Sequence, residues 1–105
     1  MNELYIIGKV LGELDVRQSE SGNAYGQLLV SIKRPFKNKD GNIDEDVIQI
    51  VIFKNGLDEA KDVVTNGKSV LIKGHINASN YSKDGKVIYS SSIIGDRISL
   101  LEDIC

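Results

Sequence analysis

Apolar residues recur at every second position through most of this chain, and a period of two builds strands, not helices. Between Tyr25 and Arg34, Leu28, Val30 and Ile32 alternate with Gln27, Leu29, Ser31 and Lys33. From Asp46 to Phe53, Ile48, Ile50 and Ile52 fall on one side, and Val47, Gln49, Val51 and Phe53 on the other. From Ser69 to Tyr81, Val70, Ile72 and Ile76 oppose Leu71, Lys73, His75, Asn77, Ser79 and Tyr81. Two more runs complete the set: Leu4 to Leu11, where Gly8 predicts a bulge or a close backbone approach, and Val87 to Leu101, with Gly95 near its middle.

Turn residues separate these runs. Ser21-Gly22-Asn23 follows the first strand, Asp40-Gly41 joins the second and third, and Asp84-Gly85 joins the last two. Pro35, which has no N–H to donate, is expected to end the pairing of the second strand. One helix is predicted over Asn55 to Asn66. Asn55 would cap it, Asp58 and Glu59 would suit its first turn, Leu57, Ala60 and Val64 would form its apolar stripe, and Asn66-Gly67 would close it.

The order is therefore three strands, a short helix, then two strands. Few topologies accommodate it. The expected class is all-β, a five-stranded Greek-key barrel of the OB type with the helix between strands three and four. The 105 residues suit one domain over 1–105, and 41% hydrophobic content suffices for one modest core. No apolar run reaches about 18 residues, so no membrane span is expected, and MNELYIIGKV lacks the features of a secretory leader. The single cysteine, Cys105, has no partner in the chain, so a free thiol and a cytoplasmic location are expected.

The net charge is −2, which argues against indiscriminate polyanion binding. Its placement is uneven, however. Lys33, Arg34, Lys37 and Lys39 follow one another without an acid, whereas acids gather at Asp44-Glu45-Asp46 and at Asp58, Glu59 and Asp62. Such a basic strip either solvates a hairpin or attracts a phosphate backbone in a salt-dependent way.

Catalysis finds little support. His75 and Cys105 are far apart in sequence, and no H-E-x-x-H, C-x-x-C or Walker-type stretch is present. Asp44 and Asp46 read as a solvated charge run. No active site, metal or cofactor is expected.

The aromatics carry more. Phe36 lies between Arg34-Pro35 and Lys37, Phe53 precedes Lys54, and Tyr81 stands two residues before Lys83. A ring beside a cation suits an unpaired nucleotide: the ring stacks on the base while the ammonium meets the phosphate. Phe53 could instead close a strand as a core residue. Core or interface packing suits Tyr5 and Tyr89, and Tyr25 fits either role.

These residues, in this order and spacing, resemble the bacterial-type single-stranded-DNA-binding proteins from Asn2 to about Leu101. NELYIIGKVLGELDVR is similar to that family's first strand, and SGNAYGQLLVSIKRPFKNKDGNIDED to its second strand and long polar hairpin. VIQIVIFKN matches the third strand, and NGKSVLIKGHINASNYSKDGKVIYSSSIIGDRISLL the last two. The resemblance implies a homotetramer, or less often a dimer, that wraps single-stranded DNA in replication, recombination and repair. By position, the family's stacking aromatics fall on Phe36, Phe53 and Tyr81, and a fourth falls on Val47, where no ring is available. Lys33, Arg34, Lys37, Lys39, Lys54, Lys73 and Lys83 are the expected phosphate partners. After Gly74 the usually basic strand reads His75-Ile76-Asn77-Ala78-Ser79-Asn80, which predicts weaker, more salt-sensitive binding. Members commonly continue into a flexible linker with an acidic tip that recruits other proteins. Here LEDIC follows directly, so a short form is expected and its replication or repair partners are left open.

Two alternatives compete. A primosome-type accessory OB protein would act mainly through protein–protein contacts. An OB barrel for oligosaccharide, RNA or peptide would use Phe36 and Tyr81 on another ligand, in keeping with a pI near 5.3.

Overall fold

The computed structural model describes residues 1–103; the expectation for Cys105 lies outside them. Five strands form a closed barrel: β1 (Leu4–Gln18), β2 (Ala24–Lys37), β3 (Ile43–Phe53), β4 (Ser69–Lys83) and β5 (Lys86–Leu100), ordered β1-β2-β3-β5-β4. The helix α1 (Lys54–Val63) lies between β3 and β4, and a 3-10 turn, Leu101–Asp103, follows β5. All neighbours are antiparallel except β3 and β5. These two close the barrel with a short parallel pairing, Ile50 with Ile93 and Val51 with Ile94.

The alternation seen in the sequence is the wall of this barrel. Val10, Leu28, Val30, Ile50, Ile52, Val70 and Ile72 are all but inaccessible to solvent, and they meet in one core with Ala60 from α1 and Ile98 from β5. Gly8 marks a close approach: a Cβ there would meet the Ser31 carbonyl oxygen at 2.7 Å. The bulge in β1 falls later, between Leu11 and Asp15, where Gly12 adopts φ +81°.

Four expectations need correction. Pro35 does not end β2. The ladder is interrupted between Lys33 and Lys37 and resumes with Lys37 opposite Ile43, because a bulge absorbs the missing donor. Next, α1 starts one residue earlier than expected, at Lys54. Its N-cap is Phe53, with no side-chain cap, so Asn55 is helical and Asp58 and Glu59 lie beyond the first turn. It also stops at Val63, because β1 recruits the following chain. Gly67 N–H donates to the Val10 carbonyl, Val10 N–H donates to that of Lys68, and Gly12 N–H donates to Asn66 Oδ1 at 2.8 Å. Last, Ile76 leaves the core, and exposure removes the core role for Tyr5 and Tyr89, leaving them the interface role. Beyond the Ile76–Ile93 pair, β4 and β5 continue as a two-stranded arm with no third strand to cover them. Asn2 clamps the root of this arm, its Nδ2 donating to the Ile76 carbonyl at 2.6 Å while its Oδ1 accepts the Ile76 N–H at 3.0 Å.

The fold thus presents a compact barrel with two projecting arms, β2–β3 and β4–β5. Each arm ends in a tight turn, and the second closes through Asp84 and Gly85 at positive φ, as a two-residue hairpin requires.

Candidate nucleic-acid interface

Phe53 ends β3 on its outer side, opposite Tyr25 of β2, which in turn pairs with Arg17 of β1. Its neighbour Ile52 points inward and is 1% exposed, whereas Phe53 is 51% exposed. A strand can split consecutive residues in this way because alternate side chains leave opposite faces. Phe53 is therefore not a core residue. Lys54 follows as the first residue of α1 and lines, with Asn23, Asn55 and Phe53, an open cleft of about 230 Å³.

Phe36 stands on the β2–β3 arm past the break in the ladder and is 63% exposed. Tyr81 stands on the β4–β5 arm opposite Ile88 and is 54% exposed. All three rings predicted to stack are thus open to solvent, and no two of them are cross-strand partners. Phe36 is eleven residues along β2 from Tyr25, up to about 36 Å of strand, in a molecule 44 Å in its longest dimension. Tyr81 lies five residues beyond Ile76, roughly 17 Å out along its arm. They mark three stations on a long surface. Val47 is also exposed and lies on the outer face, beside Ser31.

The cations divide into two groups. Lys33, Lys37, Lys39, Lys54 and Lys83 make no ion pair among the described residues. Arg34 and Lys73 are already engaged. The Arg34 guanidinium grips Asp46, with Nη2 at 2.8 Å from Oδ1 and Nε at 3.1 Å from Oδ2, and Asp44 stands 4.0 Å from Nη1. The hydrogen bond to Asp46, then its charge, raises the Arg34 pKa, and the same bond lowers that of Asp46. Lys73 Nζ lies 3.2 Å from Glu3, whose hydrogen bond and charge raise the lysine pKa.

The basic strip of the sequence is therefore only half of the β2–β3 arm. Pairing brings Glu45 opposite Lys33 and Asp46 opposite Ile32. Between Lys33 and Asp46 the chain carries four bases and four acids, so the arm has no formal net charge. The β4–β5 arm is more basic, with Lys83 and Lys86 against Asp84 alone between Ile76 and Ile93. Lys86, beside the Asp84-Gly85 turn, is a cation outside the expected phosphate partners, although its place at the turn is legible in the sequence. Glu59, read there only as a first-turn acid, accepts a hydrogen bond from the Ile98 N–H at 3.1 Å and pairs with Arg97, anchoring α1 to β5.

A closed barrel in this strand order, plugged by a helix between its third and fourth strands, is an OB-fold, and exposed rings stud its outside. Residues 1–101 match the model of the single-strand binding protein family, and the chain belongs to that family. It is 27% identical over 103 residues to the single-stranded DNA-binding protein of Oceanobacillus iheyensis, covering 97% of this chain and 64% of that protein. With single-stranded DNA-binding protein 1 of Streptococcus pyogenes it shares 26% identity over 97% of this chain and 79% of the other. The chain thus spans a little under two thirds of the first of these relatives.

Two solved structures share the fold at 18% identity over 96% of this chain. One is a deletion mutant of the single-stranded DNA binding protein from Thermus aquaticus, with a TM-score of 0.73 and half of that chain covered. The other is the Plasmodium falciparum SSB in complex with ssDNA, with a TM-score of 0.71 and 95% of that chain covered. Among the described residues no helix is long and apolar enough to cross a membrane.

Proposed function

We propose that this protein binds and protects single-stranded DNA without sequence preference, in the cytoplasm, during replication, recombination and repair. Phe36, Phe53 and Tyr81 stack on successive stretches of bases. Lys33, Lys37, Lys39, Lys54 and Lys83 meet phosphates, while Arg34 and Lys73 reach a phosphate only by leaving Asp46 and Glu3. The observation that carries this reading is the solvent exposure of all three rings, each two residues or fewer from a lysine or arginine. Base stacking accepts any sequence because every base offers a flat π-face. The 1–105 chain acts as a single OB domain and assembles as a homo-oligomer, tetramer or dimer. Tyr5, exposed on the outer side of β1, supports such an assembly.

Competition among poly-dT, poly-U and duplex DNA for a labelled dT oligomer tests the reading. Poly-dT should displace the probe best and duplex worst; equal competition by all three, or preference for poly-U, would refute it.

A further inference from the structure

Ser31 is buried on the outer face of the barrel wall. The residue is 7% exposed, and its hydroxyl has no hydrogen-bond partner among the described residues. A buried hydroxyl left unsatisfied weakens a fold, so an exception of this kind marks a place where something else completes the bonding.

Ser31 also lines an open cleft of about 520 Å³ on the outside of the barrel, together with Ile7, Lys9, Lys33, Glu45 and Ser69. The strand register explains the grouping. Lys9 of β1 is flanked by Ser31 of β2 on one side and Ser69 of β4 on the other, so the three stand abreast across three strands. Lys33 follows Ser31 two residues along the same face. Neither Lys9 nor Lys33 is ion-paired among the described residues. The cleft therefore exposes two ammonium groups and the Ser69 hydroxyl, with the covered Ser31 hydroxyl at its wall, set against a single carboxylate, Glu45.

We propose that Lys9, Ser31, Lys33 and Ser69 form a subsite for one phosphodiester of the bound strand. A phosphodiester is a compact monoanion with several acceptor oxygens, which matches the donor set and its single excess positive charge. Glu45 opposes that anion and limits affinity.

This inference rests on the single-stranded-DNA reading, and the test separates the two. Binding of a labelled dT oligomer is measured by fluorescence anisotropy for the full chain and for Ser31→Ala, Lys9→Gln, Glu45→Gln and Phe53→Leu, alongside thermal melts. Ser31→Ala removes the orphaned hydroxyl, so it should melt no lower than the parent yet bind roughly tenfold more weakly, the loss of one charge-assisted hydrogen bond. Lys9→Gln should reduce the slope of log affinity against log salt by about 0.7, and Glu45→Gln should tighten binding. Replacing the phosphodiesters of the oligomer with neutral methylphosphonates should erase the difference between the parent and Ser31→Ala. The subsite is refuted if Ser31→Ala and Lys9→Gln bind like the parent while Phe53→Leu binds more weakly. It is also refuted if the difference between the parent and Ser31→Ala persists on the methylphosphonate oligomer. If the parent itself fails to bind dT, the stacking reading falls. A saturable shift of the Ser31 and Lys9 amide resonances on adding inorganic phosphate would still support an anion site, and its absence would remove that as well.

Discussion

Ile52 and Phe53 are consecutive residues whose replacement should have opposite consequences. Ile52 is 1% exposed in the barrel core, so Ile52→Ala should cost about 2–5 kcal/mol of stability through reduced burial and the cavity left behind. That is a large share of the 5–15 kcal/mol typical of a domain. At roughly 4–8 °C per kcal/mol for a chain of about this size, the midpoint should fall by at least about eight degrees. Phe53 is half outside, and Phe53→Leu keeps an apolar side chain there while removing the flat π-face. Stability should change by less than about 1 kcal/mol. Alanine replacement at a stacking position costs about 1–3 kcal/mol of binding. Leucine retains some apolar contact, so the loss should sit near 1 kcal/mol, about fivefold in Kd. Phe53→Trp should restore it. Thermal melts and dT-oligomer anisotropy, run below the Ile52→Ala transition, separate the effects. The reasoning is refuted if Phe53→Leu unfolds the barrel like Ile52→Ala, or if it binds dT as tightly as the parent with the fold intact.

Further outcomes follow from the same geometry. Replacing Lys37 and Lys39 by Gln should lower the salt slope of binding by about 0.7 for each phosphate no longer neutralised; an unchanged slope would take both out of the interface. Asp46→Asn removes the closer of the two Arg34 partners, leaving Asp44 at 4.0 Å, and makes the β2–β3 arm basic, so dT affinity should rise, most visibly at low salt; a fall would show that Asp46 holds Arg34 in a binding posture. The Arg34 hydrogen bond lowers the Asp46 pKa. Its stabilising contribution is therefore complete above the ordinary aspartate value of about 3.9 and is lost as pH falls through the depressed folded value. Melts of the parent and Asp46→Asn at acid and neutral pH should converge in acid, and a gap that widened on acidification would contradict this. Tyr81→Ala should weaken dT binding by about 1–3 kcal/mol without shifting the melting midpoint, because its arm lies outside the core.

Much of this was legible in the residues themselves. The period of two separated Ile50 and Ile52 from Val51 and Phe53, and the Asp-Gly pairs located both arm turns, because side-chain alternation and positive-φ turns are local properties. What escaped depended on register between distant segments. The run from Lys33 to Lys39 reads as basic until pairing sets Glu45 opposite Lys33 and brings Asp46 to Arg34. The helix end was misplaced because Val10 and Gly12 compete for the backbone around Gly67 and for Asn66. Ile76 and Tyr89 have core-like neighbours in sequence, yet no strand arrives to cover them. The orphaned hydroxyl of Ser31 could be found only once its surroundings were in place.

The decisive comparison is between a dT oligomer and an abasic strand of the same length and phosphate charge, each titrated into the protein at moderate salt. If exposed Phe36, Phe53 and Tyr81 hold unpaired bases, the abasic strand should bind more weakly by at least tenfold, and the gap should shrink when the three rings are replaced together. Equal affinity for the two strands would mean that phosphate charge alone holds the DNA and would contradict the account.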